Sequence, residues 1–142
     1  MNSKFSMPAW AMLLLAFLMM GCDGEAQGNG EEMASSVQNV NIDRFEELIN
    51  EEGMQLLDVR TPEEVAAGIV AGAKHINIHD NDFIERTSSE LDKEKPVMVY
   101  CRSGGRSARA AQSLLDAGFG TVYNYTGGMS EWKSKGKPVE SK

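Results

Sequence analysis

From Val37 onward, short apolar runs alternate with stretches whose apolar residues recur at helical spacing. Asn41 is placed to cap a helix that keeps Ile42, Phe45, Leu48 and Ile49 on one face, with Gly53 as its stop. Gln55–Asp58 reads as a short strand. Thr61-Pro62-Glu63-Glu64 then combines a capping box with proline at the first helical position, a clear helix start. Residues 74–78 read as a further strand, and a polar helix is expected over about 82–91. After Pro96, Val97-Met98-Val99-Tyr100 is an unbroken apolar run, as a central strand buried on both faces requires. Residues 107–117 repeat Ala108, Ala111, Leu114 and Leu115 at helical spacing, and Gly118 closes them. Val122–Tyr125 makes a last strand and 129–134 a short terminal helix. Strands alternating with helices over short links predict one α/β domain, a mostly parallel central sheet flanked by helices on both faces.

The N-terminal part follows a different pattern. Residues 7–20 carry no charge, follow Lys4, and are rich in Leu, Met, Ala and Phe. The run is short for a membrane span but suits the core of an export signal. It ends in Leu18-Met19-Met20-Gly21-Cys22, which resembles a bacterial lipobox, with Met19 standing where leucine is usual. Residues 1–21 are therefore expected to be a lipoprotein signal peptide, with Cys22 the lipidated residue. The chain would be lipid-anchored at the periplasmic face of a bacterial membrane. Ordinary cleavage or an uncleaved anchor are the alternatives. Residues 22–36 are acidic, polar and Gly-containing, and read as a flexible tether to a folded domain over 37–140.

Composition narrows the chemistry. A net charge of −7, with no basic stripe, argues against a nucleic-acid partner. With Cys22 lipidated, Cys101 would be the one remaining thiol of an exported protein, and no internal disulfide could form. Such a cysteine is either buried and inert or kept for its reactivity.

The residues after it favour reactivity. Cys101 ends the most apolar strand, at the edge where parallel sheets bind ligands. It opens the loop Cys101-Arg102-Ser103-Gly104-Gly105-Arg106-Ser107. Two glycines allow positive φ, so successive N–H groups can face inward as an anion-binding nest. Ser107 is placed to cap the next helix, whose N-terminus adds positive potential, and Arg102 and Arg106 add formal charge. All of this favours thiolate over thiol.

The motif Cys101-x-x-Gly104-x-Arg106 resembles the active loop of rhodanese-like domains, the thiosulfate sulfurtransferase family. Leu57-Asp58-Val59-Arg60-Thr61-Pro62-Glu63-Glu64, Gly72-Ala73 and Tyr125-Thr126-Gly127-Gly128-Met129-Ser130-Glu131-Trp132 fit the same family in order, and small exported members are the most similar. The resemblance implies that Cys101 takes a sulfane sulfur from thiosulfate or another small anionic donor. The resulting persulfide is held by loop N–H groups from Arg102 to Arg106 and passed to a thiol or cyanide. No cofactor beyond that covalent persulfide is implied. Arg106 would orient the anion and Arg102 would act at the rim.

Other residues carry plainer expectations. Asp58 and Arg60 lie near enough to touch the site, but Asp58 more simply fixes a loop while Arg60 pairs with Glu63 or Glu64. His75 and His79 have helical metal-ligand spacing on a strand, where four residues span about 13 Å, too far for one metal ion. Trp132 is expected to pack against the domain, and Lys133, Lys135 and Lys137 to form a solvated end. Two rival functions remain. One is a carrier or partner-binding module without turnover. The other is a cysteine phosphatase or arsenate reductase, although the phosphatases place five residues between Cys and Arg where this chain has only Arg102, Ser103, Gly104 and Gly105.

Overall fold

The computed structural model describes residues 36–142, so the expected signal segment, Cys22 and nearly all of the tether lie outside the described residues. Five strands, β1 (Gln38–Val40), β2 (Gln55–Asp58), β3 (Lys74–His75), β4 (Val97–Tyr100) and β5 (Val122–Tyr125), form one sheet in the order β1-β5-β4-β2-β3. Every pairing is parallel. Five helices connect them: α1 (Ile42–Leu48), α2 (Pro62–Ala66), α3 (Phe83–Glu90), α4 (Gly105–Asp116) and α5 (Gly128–Ser134).

Alternation along the strands divides the core in two. Leu57, Val97, Val99 and Val122 face one layer with Phe83 of α3 and Ala110, Ala111 and Leu114 of α4. Leu56, Met98, Tyr100 and Tyr125 face the other, against Phe45 and Leu48 of α1 and Met129 and Trp132 of α5. All four residues of β4 are fully buried, as its unbroken apolar run predicts. Phe45 stacks on Tyr125 at 4.2 Å and meets Tyr100 and Trp132 edge-on. Trp132 also donates from Nε1 to the Pro138 carbonyl at 2.8 Å, so it belongs to the core as expected.

The local signals behave as their chemistry dictates. Asn41 Oδ1 accepts from the Arg44 N–H at 3.0 Å and starts α1. Thr61 and Glu64 exchange both capping-box hydrogen bonds, with Pro62 in the first turn of α2. Three differences have physical causes. The edge strand β1 escapes prediction because its three residues bury only Val40. The strand expected over 74–78 is regular only through His75, yet Ile76 and Ile78 still donate to the Asp58 and Val59 carbonyls at 3.1 Å. Finally, α4 begins at Gly105 rather than at a Ser107 cap, because Gly104 at φ +94° turns the chain into the helix earlier.

Candidate active site

β4 delivers Cys101 to the carboxyl edge of the sheet, between β5 and β2. The side chain is 1% exposed. The Gly104 N–H donates to its Sγ at 3.1 Å, and Ser107 Oγ lies 3.4 Å from the same sulfur. That hydroxyl also reaches the Gly104 carbonyl oxygen at 3.1 Å, so its one proton serves either acceptor. Burial alone would raise the thiol pKa. The Ser107 hydroxyl and the Ser107, Ser103 and Gly104 N–H groups outweigh it, and the net displacement is downward, toward thiolate.

Ser107 is the third residue of α4, and no side chain caps that helix. Its N–H, which a capping oxygen normally takes, contributes instead to lowering the Cys101 thiol pKa. With its Oγ 3.4 Å from Sγ, Ser107 serves the sulfur directly rather than as the expected cap. Of the two loop glycines only Gly104 has positive φ; Gly105 is the first helical residue and has open space around it. A Cβ on Gly104 would also run into the Thr126 carbonyl, so that position excludes any side chain twice over.

The outer side of the loop is held by α5. Met129 N–H donates to the Cys101 carbonyl at 2.9 Å, and Ser130 N–H to the Arg102 carbonyl at 3.0 Å. Gly128 makes this approach possible. It has φ +60°, and a Cβ there would stand 2.6 Å from Arg102 backbone atoms and 2.7 Å from the Cys101 carbonyl oxygen. These residues lie in the Tyr125-to-Trp132 motif, but nothing in the sequence assigns them this role; only the adjacent glycines hint at a close approach.

Arg106 has a partner within the chain, and Arg60 departs from its expected one. Arg106 makes a two-pronged pair with Glu64, at 2.7 and 2.8 Å, tying α4 to α2. Its guanidinium holds the Glu64 carboxyl down to about 2, while Glu64 raises Arg106 in return. Arg106 thus faces a carboxylate of its own chain, and Arg102 is the exposed loop cation. Arg60 does not pair with the carboxylate of Glu63 or Glu64. It forks onto Asp58, at 2.6 Å in the closest contact, and donates to the Glu64 and Gly68 carbonyls. Burial opposes the Arg60 charge, but Asp58 more than offsets it. Asp58 also accepts from the Arg60 N–H at 3.0 Å, so both residues shape the β2–α2 turn. His75 spends Nε2 on the Arg60 carbonyl at 2.7 Å. Ser103 is exposed, with its backbone N–H directed at the sulfur.

A cleft of about 250 Å³ opens beside this loop, walled by Arg60, Glu64, Arg102, Ser130 and Lys133. Lys133 is therefore not part of a merely solvated end; its Nζ donates to the Ala67 carbonyl at 3.1 Å. Lys137 also leaves that description, pairing with Glu46 at 2.5 Å.

Comparison with known proteins agrees with this geometry. A rhodanese-like domain model matches residues 41–135. A sulfurtransferase from Allochromatium vinosum is 38% identical over 92 residues, 65% of this chain and 83% of that one. A thiosulfate sulfurtransferase from Pseudomonas aeruginosa is 33% identical, with 72% and 89% covered. Among solved structures, a rhodanese-like domain protein from Staphylococcus aureus superposes with a TM-score of 0.63 at 30% identity, covering 75% of this chain and all but 1% of the other (99%). The polysulfide-sulfur transferase homodimer of Wolinella succinogenes gives 0.62 at 33% identity, with 78% and 82% covered. The parallel five-stranded sheet, the cradled cysteine and these likenesses establish that the chain belongs to the rhodanese-like domain family, among sulfurtransferase relatives.

Proposed function

We propose that the protein is a sulfurtransferase in which Cys101 carries a sulfane sulfur from thiosulfate, or another small anionic donor, to a thiol or cyanide. The observation that carries this reading is the set of donors converging on Sγ, with Gly104 N–H at 3.1 Å and Ser107 Oγ at 3.4 Å. They stabilise the attacking thiolate, and the same donors suit the terminal sulfur anion of a persulfide. Thiolate Cys101 attacks the outer sulfur of thiosulfate. The sulfur–sulfur bond of the donor breaks, sulfite leaves with its electron pair, and a persulfide remains on Cys101. The acceptor then attacks the outer sulfur and returns the thiolate.

Thiosulfate treatment followed by intact mass tests the first half-reaction. Wild type gains the mass of one sulfur atom and Cys101→Ser gains nothing; an unchanged wild-type mass overturns the proposal. Steady-state thiocyanate production then separates an enzyme from a persulfide carrier. The loop with only Arg102, Ser103, Gly104 and Gly105 between Cys101 and Arg106 is tight for a tetrahedral phosphate. Cys101-dependent hydrolysis of p-nitrophenyl phosphate would reverse that preference. We further propose lipid anchoring at Cys22 on the exported face, supported by the uncharged 7–20 run and the Leu18-to-Cys22 pattern. Incorporation of an alkyne fatty acid by wild type and not by Cys22→Ala is the expected result.

A further inference from the structure

The cleft beside the Cys101 loop carries a charge imbalance that extends past the loop onto α5. Four of its neighbouring charges cancel: Arg60 lies on Asp58, and Glu64 on Arg106. Two cations remain, Arg102 and Lys133, and neither has a carboxylate partner among the described residues. They stand in a chain of net charge −7, so the cleft is a local positive site on an acidic protein. Its wall also includes Ala67 and Met129, an apolar lining that suits methylene groups. The cleft adjoins the reacting atom through the backbone: Arg102 follows Cys101, and its carbonyl is fixed by the Ser130 N–H at 3.0 Å. At about 250 Å³ it is far larger than a two-atom cyanide needs.

From the paired cations, the apolar wall and the direct attachment to the loop, we propose that this cleft seats the carboxylate of an aliphatic thiol acceptor, gripped between Arg102 and Lys133. The assignment rests on the sulfur-transfer reading above and names the acceptor class for the second half-reaction. With the carboxylate seated, the acceptor thiolate attacks the outer sulfur of the Cys101 persulfide. A sulfur–sulfur bond forms on the acceptor and the bond to Cys101 breaks. The electron pair returns to Cys101 as thiolate, into the Gly104 and Ser107 donors, and no other oxidant or reductant takes part. Lys133 acts as a specificity residue and touches no reacting atom.

The test uses two acceptors of equal length, 6-mercaptohexanoate and 6-mercaptohexanol, against thiosulfate-loaded protein, following loss of the persulfide mass with time. Wild type is expected to react about fivefold faster with the carboxylate, a preference that shrinks as salt is added. Lys133→Gln reduces the preference and Lys133→Glu abolishes or inverts it, read as the ratio of the carboxylate rate to the alcohol rate within each variant. Equal wild-type rates for the two thiols, or a preference indifferent to Lys133→Glu, overturn the acceptor assignment and leave sulfur transfer standing. A hexanoate titration of Cys101→Ser, followed by backbone amide shifts, reads the seat without any transfer. Saturable shifts at Arg102 and Lys133 support the seat, and their absence overturns it. Failure of wild type to load sulfur at all removes the transfer reading and the acceptor assignment together.

Discussion

The two sides of the Cys101 loop are built on opposite principles. On the inner side, N–H groups of Ser103, Gly104 and Ser107 and the Ser107 hydroxyl converge on one sulfur. On the outer side, the Cys101 and Arg102 carbonyls are taken by the Met129 and Ser130 amides at the start of α5. The Ser103 N–H and the Arg102 carbonyl belong to one peptide unit, so the Ser130 amide that takes the carbonyl holds the unit whose N–H serves the sulfur. At that unit the outer clamp supports the inner cradle. The lesson is that the site's electrostatics depend on a helix that touches no reacting atom.

Breaking the clamp should have the largest effect. Gly128→Ala forces a Cβ to 2.6 Å from the Arg102 backbone at a φ that L-residues avoid. We expect a loss of about 2–3 kcal/mol in denaturant unfolding and near-complete loss of sulfur loading by intact mass. Gly104→Ala, which strikes the Thr126 carbonyl from the cradle side, should abolish loading with a similar stability loss. Wild-type loading by either variant would show that the loop tolerates rebuilding of the face that variant disturbs.

Ser107→Ala is a finer probe of the inner side alone. It removes the hydroxyl 3.4 Å from Sγ and leaves the backbone donors in place. The thiolate midpoint, followed by ultraviolet absorbance against pH, should rise by about one pH unit while the melting temperature changes little. An unmoved midpoint would assign the lowered thiol pKa to the backbone donors.

The bridge between α2 and α4 comes next. Because Arg106 is committed to Glu64, Arg102→Ala should raise the apparent Michaelis constant for thiosulfate more than Arg106→Ala does, and Arg106→Ala should cost more stability. A larger substrate effect at Arg106 would restore the role expected of it from the motif. The smallest effect concerns acid. Glu64 is depressed from its ordinary 4.5 to about 2, so its pairing stabilises the fold fully above 4.5 and is lost as pH falls toward 2. Wild type should lose more thermal stability over that window than Glu64→Gln, and parallel curves would contradict a contribution from this pair.

Much of this was legible in the residues themselves. The α2 start follows from Thr61-Pro62-Glu63-Glu64 alone, and β4 from four consecutive apolar residues. Cys101 was singled out by the glycines and arginines after it. What stayed hidden were choices of partner. Glu64 announced itself as a capping residue and as a partner for Arg60, yet its carboxylate accepts from the Thr61 N–H and from Arg106. Arg60 could have reached several acids, and burial beside Asp58 selected one. Lys133 looked like a solvated cation because the cleft it borders is assembled from α2, α5 and the loop, segments far apart in sequence. Local chemistry fixes caps and strands; long-range packing decides which charge meets which.

The most direct test of the central claim is the pH titration of the Cys101 thiol in the intact protein, with Cys101→Ser as the blank. A midpoint below the ordinary cysteine value, with loss of the absorbance in the blank, is the predicted result. A thiol that titrates at or above that ordinary value would contradict the cradle as an activating device and leave Cys101 a buried core residue.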